Sequence, residues 1–364
     1  MFCFSLKTKK NLIYKFNFLV LIMPRAPKKD IIYQERLKVP KEFIRFATPR
    51  DVSLYRAERL GAKTIVEIGA GIGGQTIALA KNSKKVIAVE LDKSRASILS
   101  NNLRKLKIKN VEVINGDALN KSIINKIKKE EPNVIFVDTE RPEQSDRTLD
   151  FINPPIQKIL DAYLPITKKI AIEIPPFTQG LESIKRNNDF EEEFISLDNQ
   201  LNRLTLYFNE LKKCDVSAIA LPSREIIVIS EKHIQSKQEK FAKNYKYLYL
   251  VDPTIVVARL IEELSVKFNA PILDLSKPVL LSNEEIKSYF LTRYKIIKIC
   301  RNNKEEILNA LDNVKAGKVI LRYNLLPEDY WKIRKYYEKE LTGKREINLF
   351  INENANEAIL CEKF

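Results

Sequence analysis

The sequence predicts a doubly wound α/β domain on a mainly parallel sheet, followed by a small α+β domain. Three observations carry this. Short, nearly all-apolar and often β-branched segments alternate with helical stretches through residues 46–174. Strands apolar on both faces belong to parallel sheets covered by helices on each side, with right-handed crossovers. A glycine-rich turn, Gly69-Ala70-Gly71-Ile72-Gly73-Gly74, joins the first such strand to a helix. The last third breaks the alternation and closes on two strands.

The elements follow in order. Thr48-Pro49-Arg50-Asp51 reads as a helix start, with Thr48 as N-cap, Pro49 in the first turn and Asp51 at the positive helix end; the helix runs to about Leu60. Strands are expected at 64–68, 85–90, 111–115, 134–138 and 169–174, with helices at 76–81, 93–106, 121–130 and 155–164 between them. Segments 203–209, 216–221 and 225–230 read as further strands at the far edge of the same sheet. The charged, apolar-poor stretch 231–240 reads as a linker. Beyond it, Tyr247–Pro253 leads into a helix over 254–268. Then come a strand at 294–299, a helix at 304–316, a strand at 318–323, a helix at 327–341, and strands at 347–352 and 357–362. The organisation is therefore a basic extension over 1–42, an α/β domain over 43–232, a linker over 233–240 and an α+β domain over 241–364. At ~100–200 residues per domain, 364 residues hold two.

The chain carries 63 Lys and Arg against 47 acids, for a net charge of +16. Residues 1–45 hold eleven of the basic residues and three of the acids, half of the excess. Such a balance fits either a polyanion partner, because Lys and Arg displace phosphate counterions, or a Lys-rich surface of no special purpose. Four scattered cysteines, Cys3, Cys214, Cys300 and Cys361, fit a reducing cytosol and exclude a disulfide scaffold. With His233 the sole histidine, no transition-metal site is expected. Asn11–Met23 is apolar but holds Lys15 and Asn17, and is shorter than the ~20 residues of a membrane-spanning helix. Met23 is an alternative start to Met1.

A glycine-rich strand-to-helix turn is shared by dinucleotide enzymes and by enzymes that use S-adenosylmethionine. Missing side chains let Gly69, Gly71 and Gly73 turn sharply and approach a ligand. Three carboxylates distinguish the two classes. Glu67 stands at the end of the first strand, where an acid lies near the methionine portion of S-adenosylmethionine. Glu90 ends the second strand and is placed to accept hydrogen bonds from both ribose hydroxyls, a feature nicotinamide enzymes share. Asp117, in Asn115-Gly116-Asp117-Ala118 after the third strand, is placed to receive the adenine N–H; alternatively it caps the next helix. Together they favour S-adenosylmethionine, with Glu67, Gly69, Gly71, Gly73, Glu90, Asp117, Ala118 and Asp138 as the cofactor-binding set.

The runs ATPRDVSLYRAERL, VEIGAGIGGQTIALA, VIAVELD and GDAL resemble bacterial and archaeal class I methyltransferases that carry a THUMP-like C-terminal domain. The segments YLYLVDPTIVVARLIEEL, SYFLTRYKIIKI, KVILRYNLLPEDYWKIRKYY and EAILCE resemble that family in the same order, so the likeness covers about residues 43–364. It implies a Rossmann-like class I methyltransferase domain and an RNA-binding module of the kind found on tRNA-modifying enzymes. At the end of the fourth strand the family shows an Asp-Pro-Ala-Arg-Arg-like pattern. This chain keeps Asp138 and Arg141 but replaces the intervening Pro.

Asp138 and Arg141 are the candidate catalytic residues: Asp138 accepts a proton or orients an amino group, and Arg141 or Arg147 holds a phosphate or base edge. Alternatively Asp138 caps its loop and the arginines pair with Glu140, Glu143 or Asp146. The Asn/Asp-Pro-Pro-aromatic signature of amino methylation is absent at 138. Asn153-Pro154-Pro155 reads as a helix start with Asn153 as N-cap, or else as a base-facing site. Cys214 is poorly placed to serve as the nucleophile for pyrimidine C5 methylation. Glu173 stands where the family tends to have Lys, which speaks against 2′-O methylation. Phe177 either stacks on a flipped base or plugs the core. In the C-terminal part, Lys318 and Arg322 are candidate RNA contacts, and Arg293, Tyr294, Lys295, Tyr323, Lys332, Arg334, Lys335, Tyr336 and Tyr337 interleave cations with aromatics. The competing reading is an amphipathic helix that buries its Tyr residues and Trp331 against the sheet. The expected function is methylation of a base nitrogen in tRNA or rRNA by a cytoplasmic enzyme. The alternatives are a protein or small-molecule methyltransferase, or a cofactor-binding scaffold that holds RNA without turnover.

Overall fold

The computed structural model describes Leu37 and residues 47–140, 148–231 and 235–364. The extension 1–42 (Leu37 apart), the alternative start at Met23, Arg141, Arg147 and His233 lie outside the described residues. The chain divides into two compact units, one ending at Ile229 and the other beginning at Ser230.

The first unit runs α1 (Arg50–Leu60), β1 (Thr64–Ile68), α2 (Gly74–Asn82), β2 (Lys85–Glu90), α3 (Lys93–Lys105), β3 (Val111–Asn115), α4 (Lys121–Lys129), β4 (Val134–Asp138), α5 (Ile156–Tyr163), β5 (Ile170–Ile174), α6 (Leu181–Lys185), β6 (Phe190–Leu197), β7 (Gln200–Phe208), β8 (Val216–Leu221) and β9 (Glu225–Val228). Its sheet has the order β3-β2-β1-β4-β5-β7-β6-β8-β9. β3 through β5 are mutually parallel, and β7 enters antiparallel to β5. The order reverses at β1, so β1 and β4 diverge to opposite halves of the chain and leave a crevice at their carboxyl ends. The strands at 203–209, 216–221 and 225–230 join this sheet.

One face of the sheet carries a row of polar side chains. Asp138, Glu173, Thr205, Glu193 and Ser217 are successive cross-strand neighbours on β4, β5, β7, β6 and β8. Helix α1 covers them with two arginines. Arg56 is fully buried, pairs with Glu173, bonds Gln75 and Thr205, and lies over the Phe136 ring. Arg59 pairs with Glu193 and, at 2.6 Å, with Glu191, and sits 3.6 Å from the centre of the Tyr207 ring. Tyr55 and Tyr207 donate their hydroxyls to Glu193, and Ser217 donates to Glu191. Buried charges persist only where partnered in this way.

The second unit runs β10 (Gln238–Glu239), β11 (Tyr247–Val251), α7 (Pro253–Ala258), α8 (Ile261–Phe268), β12 (Ile272–Leu273), β13 (Val279–Ser282), β14 (Leu291–Arg301), α9 (Lys304–Asn313), β15 (Ala316–Leu321), α10 (Pro327–Glu338), β16 (Arg345–Asn352) and β17 (Glu357–Lys363). The sheet order is β10-β12-β13-β11-β14-β17-β16-β15. Residues of α9 and α10, among them Ile307, Leu311 and Tyr337, pack with Val319, Leu321, Ile347 and Leu349. Leu273, Leu275, Tyr294, Phe350 and Ile359 form a separate cluster.

Several expectations are corrected. Thr48 does not cap α1; it is buried with its backbone against Gly74, and Pro49 holds the cap position without a side-chain bond. The helix expected over 254–268 is two, α7 and α8, because Arg259 adopts a left-handed conformation and Leu260 turns inward. Residues 233–240 are not a bare linker, since Gln238 and Glu239 pair with Ile272 and Leu273. Helix α9 ends at Asn313, and Ala316 already belongs to β15. β6, β11, β12 and β13 were not expected as strands.

Replacing Arg59 by Met leaves Glu191 and Glu193 buried without their counter-charge. We expect chemical denaturation, followed by circular dichroism, to show a loss of about 3–5 kcal/mol, the range for breaking one side of a buried ion pair. A loss below about 1 kcal/mol, the range of exposed pairs, would contradict the described network.

Candidate cofactor and active site

The turn after β1 is shaped by what lies behind it. Gly69 has φ of +83°, and a Cβ there would fall on the carbonyl oxygen of Asp138, well inside contact distance. Only glycine meets both demands. The N–H groups of Gly69 and Ala70 both donate to the Val89 carbonyl, at 2.9 and 3.1 Å, which ties the turn to β2. Gly71 also has positive φ, but a Cβ at this position would meet nothing within 4 Å. The turn thus presents its Gly71 edge to open space, while Gly73 leads into α2.

Four acids end the surrounding strands or follow them. Glu67 is buried, and one of its carboxylate oxygens has no hydrogen-bond partner. Burial, reinforced by the charge of Asp138, pushes its carboxyl up to about 8. Glu90 is buried and oriented: it accepts from the Gly71 N–H at 2.7 Å and the Asp92 N–H at 2.9 Å. Asp117 is exposed and accepts from the Leu119 N–H at 2.8 Å. It does not cap α4, a position held by Asn120 through the Ser122 N–H. Ala118 is buried, and its carbonyl accepts the Tyr163 hydroxyl at 2.6 Å, fastening this loop to α5.

Asp138 ends β4 half-buried, and no hydrogen bond or ion pair engages its carboxylate among the described residues. Burial and the adjacent Glu173 raise its carboxyl above the ordinary range. Glu173, by contrast, pairs with Arg56 and, at 2.6 Å, with Arg203. Glu140 pairs with Arg95, and an isolated bridge joins Glu140 to Asn153. That bridge overturns the expected cap: α5 starts at Ile156 behind Pro155, so Asn153 stands outside the helix. Phe177 is half-buried in the turn that follows β5, where the Thr178 N–H reaches the Pro175 carbonyl. Arg141 and Arg147 fall in the segment between Glu140 and Thr148, outside the described residues. In the second unit, Lys318 pairs with Glu346, and Arg322 donates from Nε to Asn348 at 2.8 Å.

Sequence reasoning missed Arg56, Arg203 and Leu91. Arg56 had a signal: it stands four residues from both Val52 and Leu60, on the face α1 buries. Leu91 follows Glu90, is 64% exposed, and its carbonyl accepts from Asn115. A large apolar side chain left in water beside Glu90 is suited to cover one face of a flat ring.

Residues 52–151 match the sequence model of a family described as ribosomal RNA adenine dimethylase. The N-terminal unit is a class I methyltransferase domain. S-adenosylmethionine is the cofactor of this domain class, and the unpaired oxygen of Glu67 fits a ligand that brings positive charge. A "Probable ribosomal RNA small subunit methyltransferase A" of Methanosarcina acetivorans is 44% identical over 90 residues, which is 25% of this chain and 27% of that protein. A "Probable cobalt-precorrin-6B C(15)-methyltransferase (decarboxylating)" of Sulfolobus acidocaldarius is 30% identical over 125 residues, 34% of this chain and 62% of that protein. The chain thus spans about a quarter of the first relative and under two thirds of the second. A methyltransferase structure from Porphyromonas gingivalis W83 shares the fold over 99% of both chains, with TM-score 0.67 and 15% identity. Among the described residues of the methyltransferase, no helix is long and apolar enough to cross a membrane.

The raised Glu67 carboxyl gives a pH prediction for the ligand-free methyltransferase. Its folded value lies above its ordinary one, so the folded chain binds more protons between about pH 4.5 and 8. Stability therefore falls as pH rises through that window, by up to about 1.4 kcal/mol per unit from this group. Asp138 adds slope of the same sign. Glu67→Gln should remove its share of the slope in denaturation series across pH 5–8; parallel curves for variant and wild type would contradict the assignment.

Proposed function

We propose that the chain methylates a nitrogen of a base in structured RNA, with tRNA or rRNA as the substrate class. One observation carries the reading. Of the two carboxylates on adjacent strand ends, Glu173 is neutralised by Arg56 and Arg203, while Asp138 has no such partner and stands against the Gly69 turn. The match to the rRNA adenine dimethylase family and the net charge of +16 support RNA as the acceptor.

In this reading Glu67 faces the charged methionine portion of the cofactor, Glu90 takes the ribose hydroxyls, and Asp117, Ala118 and Leu91 hold the adenine, with Gly69, Gly71 and Gly73 giving it room. The bound cofactor supplies an electrophilic methyl group on a sulfonium centre. Methyl transfer is an in-line displacement, so alignment contributes much of the rate and few side chains need act. Asp138 accepts a hydrogen bond from the acceptor amino group, aims its lone pair, and receives the proton the nitrogen sheds. Phe177 stacks on the presented base, and Arg141 and Arg147 hold its flanking phosphate. The C-terminal unit grips the RNA as a THUMP-like module, with Lys318 and Arg322 among its contacts. The scarcity of cysteine accords with a cytosolic enzyme.

Two other RNA chemistries are disfavoured. Pyrimidine C5 methylation needs a thiolate, and burial beside Glu191 pushes the Cys214 thiol up to about 11. Ribose methylation with a lysine on β5 is not available, since Glu173 occupies that place. A small-molecule acceptor is the second reading, favoured by the similarity to the Sulfolobus acidocaldarius protein.

The test is labelled methyl transfer by the purified full chain to total RNA from a strain lacking the gene and from its parent. RNA of the deletion strain should take up label and the parent's should not. Asp138→Ala should slow transfer about 10²–10⁴-fold, the usual contribution of a positioned acid or base, while cofactor binding persists. Label in protein or small molecules with none in RNA would overturn the reading, as would full activity of the variant.

A further inference from the structure

The second unit holds a pair of cations that nothing in the protein neutralises. Lys277 lies in the bend between β12 and β13, and Arg322 directly follows β15. The sheet order sets β13 and β15 far apart, yet the charge of Arg322 is felt at Lys277. The bend therefore folds across the sheet face that carries Tyr294, Asn348 and Phe350, and Leu275 packs in the same cluster as Tyr294 and Phe350. Both cations are half-buried, hence reachable from solvent. No carboxylate pairs with either among the described residues. Glu346, the nearby acid on β16, is taken by Lys318.

Arg322 is also held in place. Its Nε donates to Asn348, its backbone N–H donates to the Leu349 carbonyl at 2.8 Å, and its guanidinium lies 5.8 Å from the centre of the buried Tyr294 ring. The two terminal nitrogens of the guanidinium remain as donors, in the fork geometry that suits two oxygens of one anion. Two like charges brought together out of bulk water cost free energy unless an anion joins them. Surface lysines ordinarily avoid such a neighbour, whereas Lys277 is folded toward one.

We propose that Lys277 and Arg322 form a phosphate-binding site, with Arg322 as the fixed fork and Lys277 as the point charge that closes it. Its ligand is a phosphate group. That the phosphate belongs to an RNA backbone rests on the RNA reading above; free phosphate is the other source of the same chemistry. The site binds and positions, and takes no part in methyl transfer.

The test uses the full chain and two probes, inorganic phosphate followed by ³¹P line broadening and a short single-stranded oligoribonucleotide followed by fluorescence anisotropy. Lys277→Gln and Arg322→Gln are compared with wild type and with Lys318→Gln, whose charge is already paired. The wild type should broaden the phosphate line, and both site variants should lose at least three quarters of that effect while Lys318→Gln retains it. If RNA is the source, the site variants should also weaken oligonucleotide binding about 5–10-fold and flatten its log–log salt dependence by about 0.7, one phosphate contact on a single strand. Lys277→Gln removes no hydrogen bond of the fold, so its melting temperature should match wild type and keep the result interpretable if Arg322→Gln is destabilised. Phosphate broadening lost in the variants without any wild-type affinity for RNA would keep the site and assign it to free phosphate, ending the RNA reading alone. RNA binding unchanged in both variants, together with unchanged phosphate broadening, would overturn the site and leave the RNA reading standing.

Discussion

The close approach of the turn after β1 to the end of β4 is the constraint on which the rest of the first unit depends. Because the backbone of Gly69 occupies space beside the Asp138 carbonyl, no side chain fits there, and the carboxylates of Glu67 and Asp138 are brought into one electrostatic neighbourhood. Both are desolvated, and each raises the cost of ionising the other. A site built this way favours a ligand with positive charge at the place where these acids meet. The same turn is tied to β2 through Val89, and that tie brings Glu90 within reach of the Gly71 N–H.

Behind the crevice, the polar row across β4, β5, β7, β6 and β8 solves a second problem. A sheet face bearing Glu173, Glu191 and Glu193 cannot be buried under an apolar helix, so α1 supplies Arg56 and Arg59. These pairs do more than offset desolvation. By engaging Glu173 they separate two acids that are neighbours in the sheet, one held as structure and one left for chemistry. The division of labour follows from environment rather than residue type, as with other carboxylate pairs whose surroundings differ.

The parallel half of the fold was legible because its strands are short apolar runs and its helices amphipathic, patterns that depend only on near neighbours in the chain. The glycine turn and the strand-end acids were legible for the same reason. What escaped depends on distant partners. The segment Phe190-Glu191-Glu192-Glu193-Phe194 has poor β propensity, yet forms β6 because Arg59, Tyr55, Tyr207 and Ser217 satisfy its alternate acids. Arg203 and Arg56 converge on Glu173 from separate elements, which no local spacing reveals. Asn120 rather than Asp117 caps α4, a shift of three residues that frees one oxygen of Asp117 from the helix end. In the second unit the basic and aromatic residues that seemed one surface divide: Tyr337 is buried with the helices, Trp331 is 59% exposed, and Arg322 bonds the Asn348 side of β16.

The central claim is that the crevice beside Gly71 is a nucleoside site governed by Glu90. Isothermal titration calorimetry of the full chain with S-adenosylhomocysteine, the neutral product of transfer, tests it without the complication of ligand charge. The account predicts one site per chain, and at least tenfold weaker binding in Glu90→Ala, about 1.4 kcal/mol or more of lost ribose contact. No detectable binding by the wild type, or equal affinity in the variant, would contradict it.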